Sequence, residues 1–137
     1  KNAILEHLVK KGDNEYKHHE NEKTFVSMKI YLIEKQEKQP LYDIYAWVLE
    51  EKYYFENNEI KQDSGLSIPY KFIVENIDGR FTVKDATIPR DGSYYAEDMK
   101  TIFPSIVSKD MDRIQEDGTM ERLQLDIKEQ TELYFHK

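Results

Sequence analysis

Three groups of residues in this chain have the types that chemistry needs. His18, His19 and Glu20 are adjacent, and imidazole together with carboxylate suits zinc or copper. Neighbouring side chains on an extended segment point to opposite sides, so at most one of the two histidines joins a given site unless the loop curls. His7 and His136, one from each terminal helix, are the only other histidines that could complete a set. The pattern has no specific ligand set or geometry, so solvated histidines, with no metal and no other cofactor, are the expectation.

Asp91, beside Arg90, Tyr94 and Tyr95, is the second group. Acid–base work requires a buried carboxylate of raised pKa facing a pocket. A structural role is the stronger reading: Asp91 accepts backbone N–H groups at a helix entrance, where its charge suits the helix dipole. The third group is the aromatic series Tyr42, Tyr45, Trp47, Tyr53, Tyr54, Phe55 and Tyr70. Strands ordinarily use such residues to fill a core and cover edges. As a ligand-binding reading, Tyr45, Trp47 and Tyr70 border a cavity for an apolar or carbohydrate-like ligand, with Asp43 or Asp85 near the aromatic wall. Exposed Tyr and Trp would instead mark a protein-contact patch.

The elements that must position these residues follow from periodicity. Ile4, Leu5, Leu8 and Val9 recur at helical spacing, and Gly12-Asp13-Asn14 stops that helix. Glu15 to Lys23 is polar and reads as loop. Val26, Met28, Ile30 and Leu32 then alternate with polar residues in a half-buried strand. After a charged connection ending in Pro40, Leu41 to Phe55 forms a long strand with Ile44, Ala46 and Val48 on one face and Tyr45, Trp47 and Leu49 on the other, covered on both sides for part of its length. Glu56 to Glu59 is a turn cluster, and the stretch through Asp63-Ser64-Gly65 reads as an irregular connection.

Asp78-Gly79 is the dipeptide of a type I′ turn. That turn pairs Ile77 with Arg80, Asn76 with Phe81 and Val74 with Val83, which places Phe72, Val74, Phe81 and Val83 on one face. A corner comes next, built of Pro89, Asp91, Gly92 and Ser93: Pro89 cannot donate to a ladder, Gly92 turns sharply, and Ser93 caps the following helix. Tyr95, Met99, Ile102 and Phe103 form that helix's buried stripe, and Pro104 closes it. Ser105 to Ile114 is weakly helical. Asp117-Gly118-Thr119 restarts the chain, with Thr119 as the cap of a last helix carrying Met120, Leu123, Ile127 and Tyr134. The order predicts an α+β fold: an N-terminal helix, a curved antiparallel sheet of about four strands, and C-terminal helices, with the helices against one face of the sheet. A cystatin-like or NTF2-like cone is the nearest analogy, and it carries no function with it.

The 137 residues fit a single domain, 1–137, with one core. Ten Tyr, six Phe and one Trp supply large apolar areas that disordered chains lack. A net charge of -7, with cations interspersed among acids, argues against a nucleic-acid partner, because phosphate binding draws on clustered Lys and Arg. Cysteine is absent, which removes disulfides, thiolate metal sites and cysteine nucleophiles. No apolar run approaches the roughly 18 residues a membrane span needs. The chain begins at Lys1 and enters helix at once, so a removed upstream signal, lipid anchor or membrane segment is expected.

The block from Ile88 to Pro104, with Pro-Arg-Asp-Gly-Ser-Tyr-Tyr-Ala at its centre and Ile102-Phe103-Pro104 at its end, resembles a family of uncharacterised extracytoplasmic modules of Gram-positive bacteria. These look like small lipoproteins, or ectodomains associated with membrane metallopeptidases of the beta-lactam-sensor type. The resemblance extends less specifically through Ala3 to His7, the Tyr45 to Phe55 strand and Ile68-Pro69. It implies an extracytoplasmic location. The chain has neither the His-Glu-x-x-His of a zincin nor the Ser-x-x-Lys that acylation by a beta-lactam needs. The expectation is a monomeric, noncatalytic binding or sensor module for an envelope protein or peptide; the alternative is a small-molecule-binding or acid–base enzyme domain with a cone-shaped cavity.

Overall fold

In the computed structural model, which describes residues 1–136, the helical spacing of Ile4, Leu5, Leu8 and Val9 produces α1, Asn2–Asp13. Four strands follow: β1 (Lys23–Lys35), β2 (Leu41–Glu56), β3 (Glu59–Ile77) and β4 (Arg80–Thr87). They lie in the order β1-β2-β3-β4, each antiparallel to its neighbour. A 3₁₀ turn at Gly92–Tyr94 leads to α2 (Tyr95–Ile102), α3 (Ser105–Met111) and α4 (Thr119–Phe135). The fold is α+β, with the predicted order of elements. Among the described residues no helix is long and apolar enough to cross a membrane.

The layering corrects one expectation, since helices cover both faces of the sheet rather than one. Ile4 and Leu8 of α1 pack on Val26, Met28, Ile44, Ala46, Val48, Tyr70, Phe72 and Val74. On the opposite face, Phe25 and Leu49 meet Ile114, Met120, Leu123 and Ile127, while Tyr45 meets Met99, Phe103, Val107 and Met111. Trp47 touches both of these latter clusters. The cause is the apolar character of both faces of β2: each fully buried Val, Ile or Phe is worth about 1.5–3 kcal/mol relative to exposure, so neither face can stay in water. The cone analogy, which rested on helices at one face, gains no support.

The Asp78-Gly79 turn has the predicted form. Both residues have positive φ, 52° and 84°, and Val74↔Val83, Asn76↔Phe81 and Ile77↔Arg80 pair as the alternation requires. The Asn76 side chain adds a bond, its Oδ1 accepting from Gly79 N at 3.0 Å. A second hairpin replaces the irregular connection expected through Gly65. Asn57 and Asn58 adopt φ of 53° and 62°, which Asn tolerates better than most residues, and Glu56↔Glu59, Phe55↔Ile60 and Tyr54↔Lys61 continue the ladder. This half of β3 carries polar residues because most of them are exposed.

Helix α1 is held to β1 at its end. Asp13 Oδ1 accepts from Thr24 N at 2.8 Å, and Asp13 Oδ2 pairs with Lys23 Nζ. Helix α1 lies so close on the Thr24 side chain that a Cβ on Gly12 would stand 2.6 Å from Thr24 Cγ2 and Oγ1, and Thr24, 2% exposed, has no room to withdraw. Gly12→Ala therefore sets a helix-propensity gain of about 1 kcal/mol against an overpacking cost of about 1–3 kcal/mol. The expected outcome is net destabilisation, read as a lower urea midpoint at unchanged slope; a raised midpoint contradicts the close approach.

Candidate functional site

The histidine pair lies in residues 14–22, a segment that folds back over the far end of the β2–β3 hairpin. Asn21 anchors it, donating from Nδ2 to Phe55 O at 3.0 Å and accepting from Phe55 N at 3.4 Å. The His19 ring stacks on Tyr54 with centroids 3.5 Å apart and planes 9° from parallel. Lys52 Nζ donates to Glu15 Oε1 at 2.9 Å. The loop thus curls, and both histidines reach one carboxylate: His18 Nδ1 is 3.0 Å from Asp63 Oδ2, and His19 Nε2 is 3.4 Å from Asp63 Oδ1.

Asp63 is aimed by a bulge. Lys52 pairs with Ser64 and Tyr53 with Gln62, which leaves Asp63 as the extra residue, and a bulge of this kind re-aims a side chain. Glu22, 4% exposed, completes the group. One of its carboxylate oxygens, one of Asp63 and a ring nitrogen of His18 all lie within 4.8 Å of one another. Glu22 Oε1 has no hydrogen-bond partner. Burial first, and then the neighbouring Asp63 carboxylate, push the Glu22 carboxyl up; the His18 bond holds Asp63 down. Glu20 is exposed and outside this group, as is His7, which is exposed on α1. His136 instead meets Phe55 edge-on at 5.8 Å.

Sequence reasoning found the histidines and missed both carboxylates. Asp63 lies 45 residues from His18, and its turn-like neighbours Ser64 and Gly65 masked a strand. The usable signal was Gly65 itself, because an isolated Gly inside a strand often marks a bulge.

The aromatic candidates do not share a cavity. Tyr45 and Trp47 point to the α2–α4 face, where Tyr45 meets Phe103 at 5.9 Å between centroids. Tyr70 pairs with Ala46 and points to the α1 face, stacked on Phe72 at 4.7 Å. Tyr45 and Tyr70 are buried core residues, and Trp47 donates from Nε1 to Ser67 Oγ at 2.9 Å. Their adjacent positions along paired strands have opposite side-chain parity, which is what rules out a common wall. Asp43 is engaged by Gln36 Nε2 at 2.9 Å. Asp85 is exposed on β4, with Thr87 Oγ1 at 3.4 Å.

The 89–93 corner forms by a different bond from the expected one. Pro89 is buried and Gly92 takes φ 67°, yet neither Asp91 nor Ser93 caps: Asp91 is the N-cap of the 3₁₀ turn without a side-chain bond, and no side chain caps α2. Asp98 does the anchoring. Its Oδ2 accepts from Arg90 N at 2.8 Å and Nε at 2.9 Å, and its Oδ1 accepts from Nη2 at 3.0 Å. Arg90 also lies over the Tyr94 ring, 4.1 Å from its centroid. Thr119 likewise does not cap α4; its N donates to Asp117 Oδ1 at 2.9 Å.

At the opposite end of the sheet a groove of about 550 Å³ opens between the start of α1 and Ile33, Tyr42, Ile44, Val74 and Phe81. Ile33 and Phe81 are each 53% exposed at its rim. Comparison with protein-family models, with curated proteins and with solved structures finds no match for this chain.

The Arg90 bonds lower the Asp98 carboxyl from its ordinary 3.8 to about 2. A carboxyl lowered by folding contributes stability that is complete above its unfolded value and lost as pH falls through its folded one. The thermal midpoint of the wild type should exceed that of Asp98→Asn by a margin that is widest above pH 3.8 and closes toward about 2. Calorimetry across that range checks it; a constant margin is the contrary result.

Proposed function

We propose that this chain is a noncatalytic binding or sensor module facing the cell envelope, and that the groove at the start of α1 is its recognition surface. The observation that carries this reading is the groove's composition. Five apolar or aromatic side chains from β1, β2, β3 and β4 converge there beside α1, and two of them stay half in water. Ile106, Leu125 and Leu133, on the helices, are more exposed still; what sets the groove apart is that side chains from all four strands meet in it.

A groove of that size takes one or two large apolar side chains of a protein or peptide, and β4, one of the two edge strands of the sheet, contributes Phe81 to it. An edge strand beside an apolar groove is the arrangement used when an extended peptide adds to a sheet, with main-chain bonds supplying affinity and the groove supplying selectivity. The envelope location is supported by the resemblance carried in Ile88 to Pro104. The enzyme alternative is not favoured, because the aromatic wall it required is divided between two faces of the sheet.

The test is selection of phage-displayed peptides on the purified chain, followed by affinity measurement on variants. Selected peptides should carry a large apolar anchor and bind at least about tenfold more weakly to Phe81→Asp, the loss of one buried anchor being worth roughly 1–2 kcal/mol or more. Leu133→Asp, on α4, should bind as the wild type does. Peptides indifferent to Phe81→Asp and Ile33→Asp alike would place recognition elsewhere.

A further inference from the structure

We propose that His18, Glu22 and Asp63 form a binding site for a divalent transition-metal ion of the zinc class, with His19 positioning Asp63 from behind. One imidazole and two carboxylates are a borderline donor set that suits such ions. Calcium takes six or more oxygen ligands, and magnesium is bound chiefly through oxygen and water. The imidazole nitrogen decides against both.

The spacing agrees with one ion between the groups. Two ligands held about 2.0–2.2 Å from zinc at a tetrahedral angle stand roughly 3.3–3.5 Å apart. His18 Nδ1 and Asp63 Oδ2 are 3.0 Å apart, so an opening of a few tenths of an ångström exchanges the proton between them for an ion. The Glu22 oxygen lies within 4.8 Å of both, so ligation by all three groups requires it to draw nearer by about 1 Å.

Glu22 supplies an independent reason. The residue is 4% exposed, and its Oε1 is buried without a hydrogen-bond partner. A buried carboxylate is tolerated when it is paired or bound to metal. Its near neighbour of opposite sign, Lys52, is committed to Glu15 at 2.9 Å, and its other neighbour, Asp63, is a second carboxylate. Between two carboxylates only a proton or a cation is stabilising, and His18 completes the ligand set for the cation.

The surrounding groups have the form of an outer shell. His19 Nε2 lies 3.4 Å from Asp63 Oδ1, the oxygen that does not face His18, and its ring is fixed by stacking on Tyr54. Ligating carboxylates are ordinarily held by such partners. Three protein ligands leave a fourth position for water or for a ligand from another molecule. This site and the groove sit at opposite ends of β2, since the twelve steps from Tyr42 to Tyr54 span about 40 Å at ~3.3 Å each; the metal proposal therefore stands apart from the recognition surface.

The experiment is isothermal titration of the chelator-treated chain with Zn²⁺, alongside Co²⁺ titration followed by visible absorption, with folding checked by circular dichroism. One ion per chain is expected, with tetrahedral cobalt bands. His18→Ala, whose side chain is 61% exposed and dispensable for packing, and Asp63→Asn should each weaken zinc binding at least about a hundredfold, and His19→Ala about 10–100-fold. His7→Ala should match the wild type. If Asp63→Asn does not fold, His18→Ala decides alone. Absence of stoichiometric zinc binding, or binding that His18→Ala leaves unchanged, overturns the proposal.

Discussion

Strand β2 buries side chains on both of its faces, and the order of layers follows from that requirement. Ile44, Ala46 and Val48 can leave water only if an apolar stripe is laid over them, and α1 provides Ile4 and Leu8 for the purpose. Tyr45 and Leu49, pointing the other way, need a second cover, which α2, α3 and α4 supply. A sheet polar on one side would have needed neither the corner at 89–93 nor the return of the chain across the opposite face. The Arg90–Asp98 bonds are therefore subordinate to β2: they fix the angle at which the chain leaves β4 so that Met99 and Phe103 arrive over Tyr45.

The same constraint explains where chemistry-bearing side chains collect. Buried faces are occupied by packing, so side chains with ligating or contact capacity to spare are left at the ends of the sheet. At one end the tip of the β2–β3 hairpin meets the C-terminal end of α4 through Phe55 and Phe135, and a polar loop folds over it with His18, His19 and Glu22 directed at Asp63. At the other end the strands spread beyond α1 and leave Ile33 and Phe81 half in water. The centre of the molecule supplies rigidity and the two ends supply contacts.

Features governed by local physics were legible in the residues alone. The I′ turn at Asp78-Gly79, the strand register it sets, the dual-faced β2 and the bounds of α1 all follow from short-range steric rules and alternation. What escaped was decided by partners distant in sequence. Asp98 was the missed anchor, an acid flanking Met99 on the side of α2 that is buried, where a carboxylate needs a partner. Asp91, nearer the corner in sequence, points to solvent. Asn57-Asn58 hid a hairpin because its strands are paired outside the core and lack apolar alternation. Tyr45 and Tyr70 are both aromatic and both buried, but parity across paired strands separates them, and that parity depends on a register composition cannot supply.

Each strand pairs with its neighbour in sequence, whereas α4 reaches back across the chain, with Gln130 Nε2 donating to Val26 O at 3.0 Å. Contacts between near neighbours close small loops and form early; those spanning most of the chain form late. During synthesis the ribosome releases α1 and the whole sheet before α4 emerges. Throughout that interval Phe25 and Leu49 lack the partners that will conceal them, and the nascent chain displays an adhesive surface. The second face of the sheet is thus completed only when the last helix docks, and until then the unfinished molecule is exposed to its neighbours.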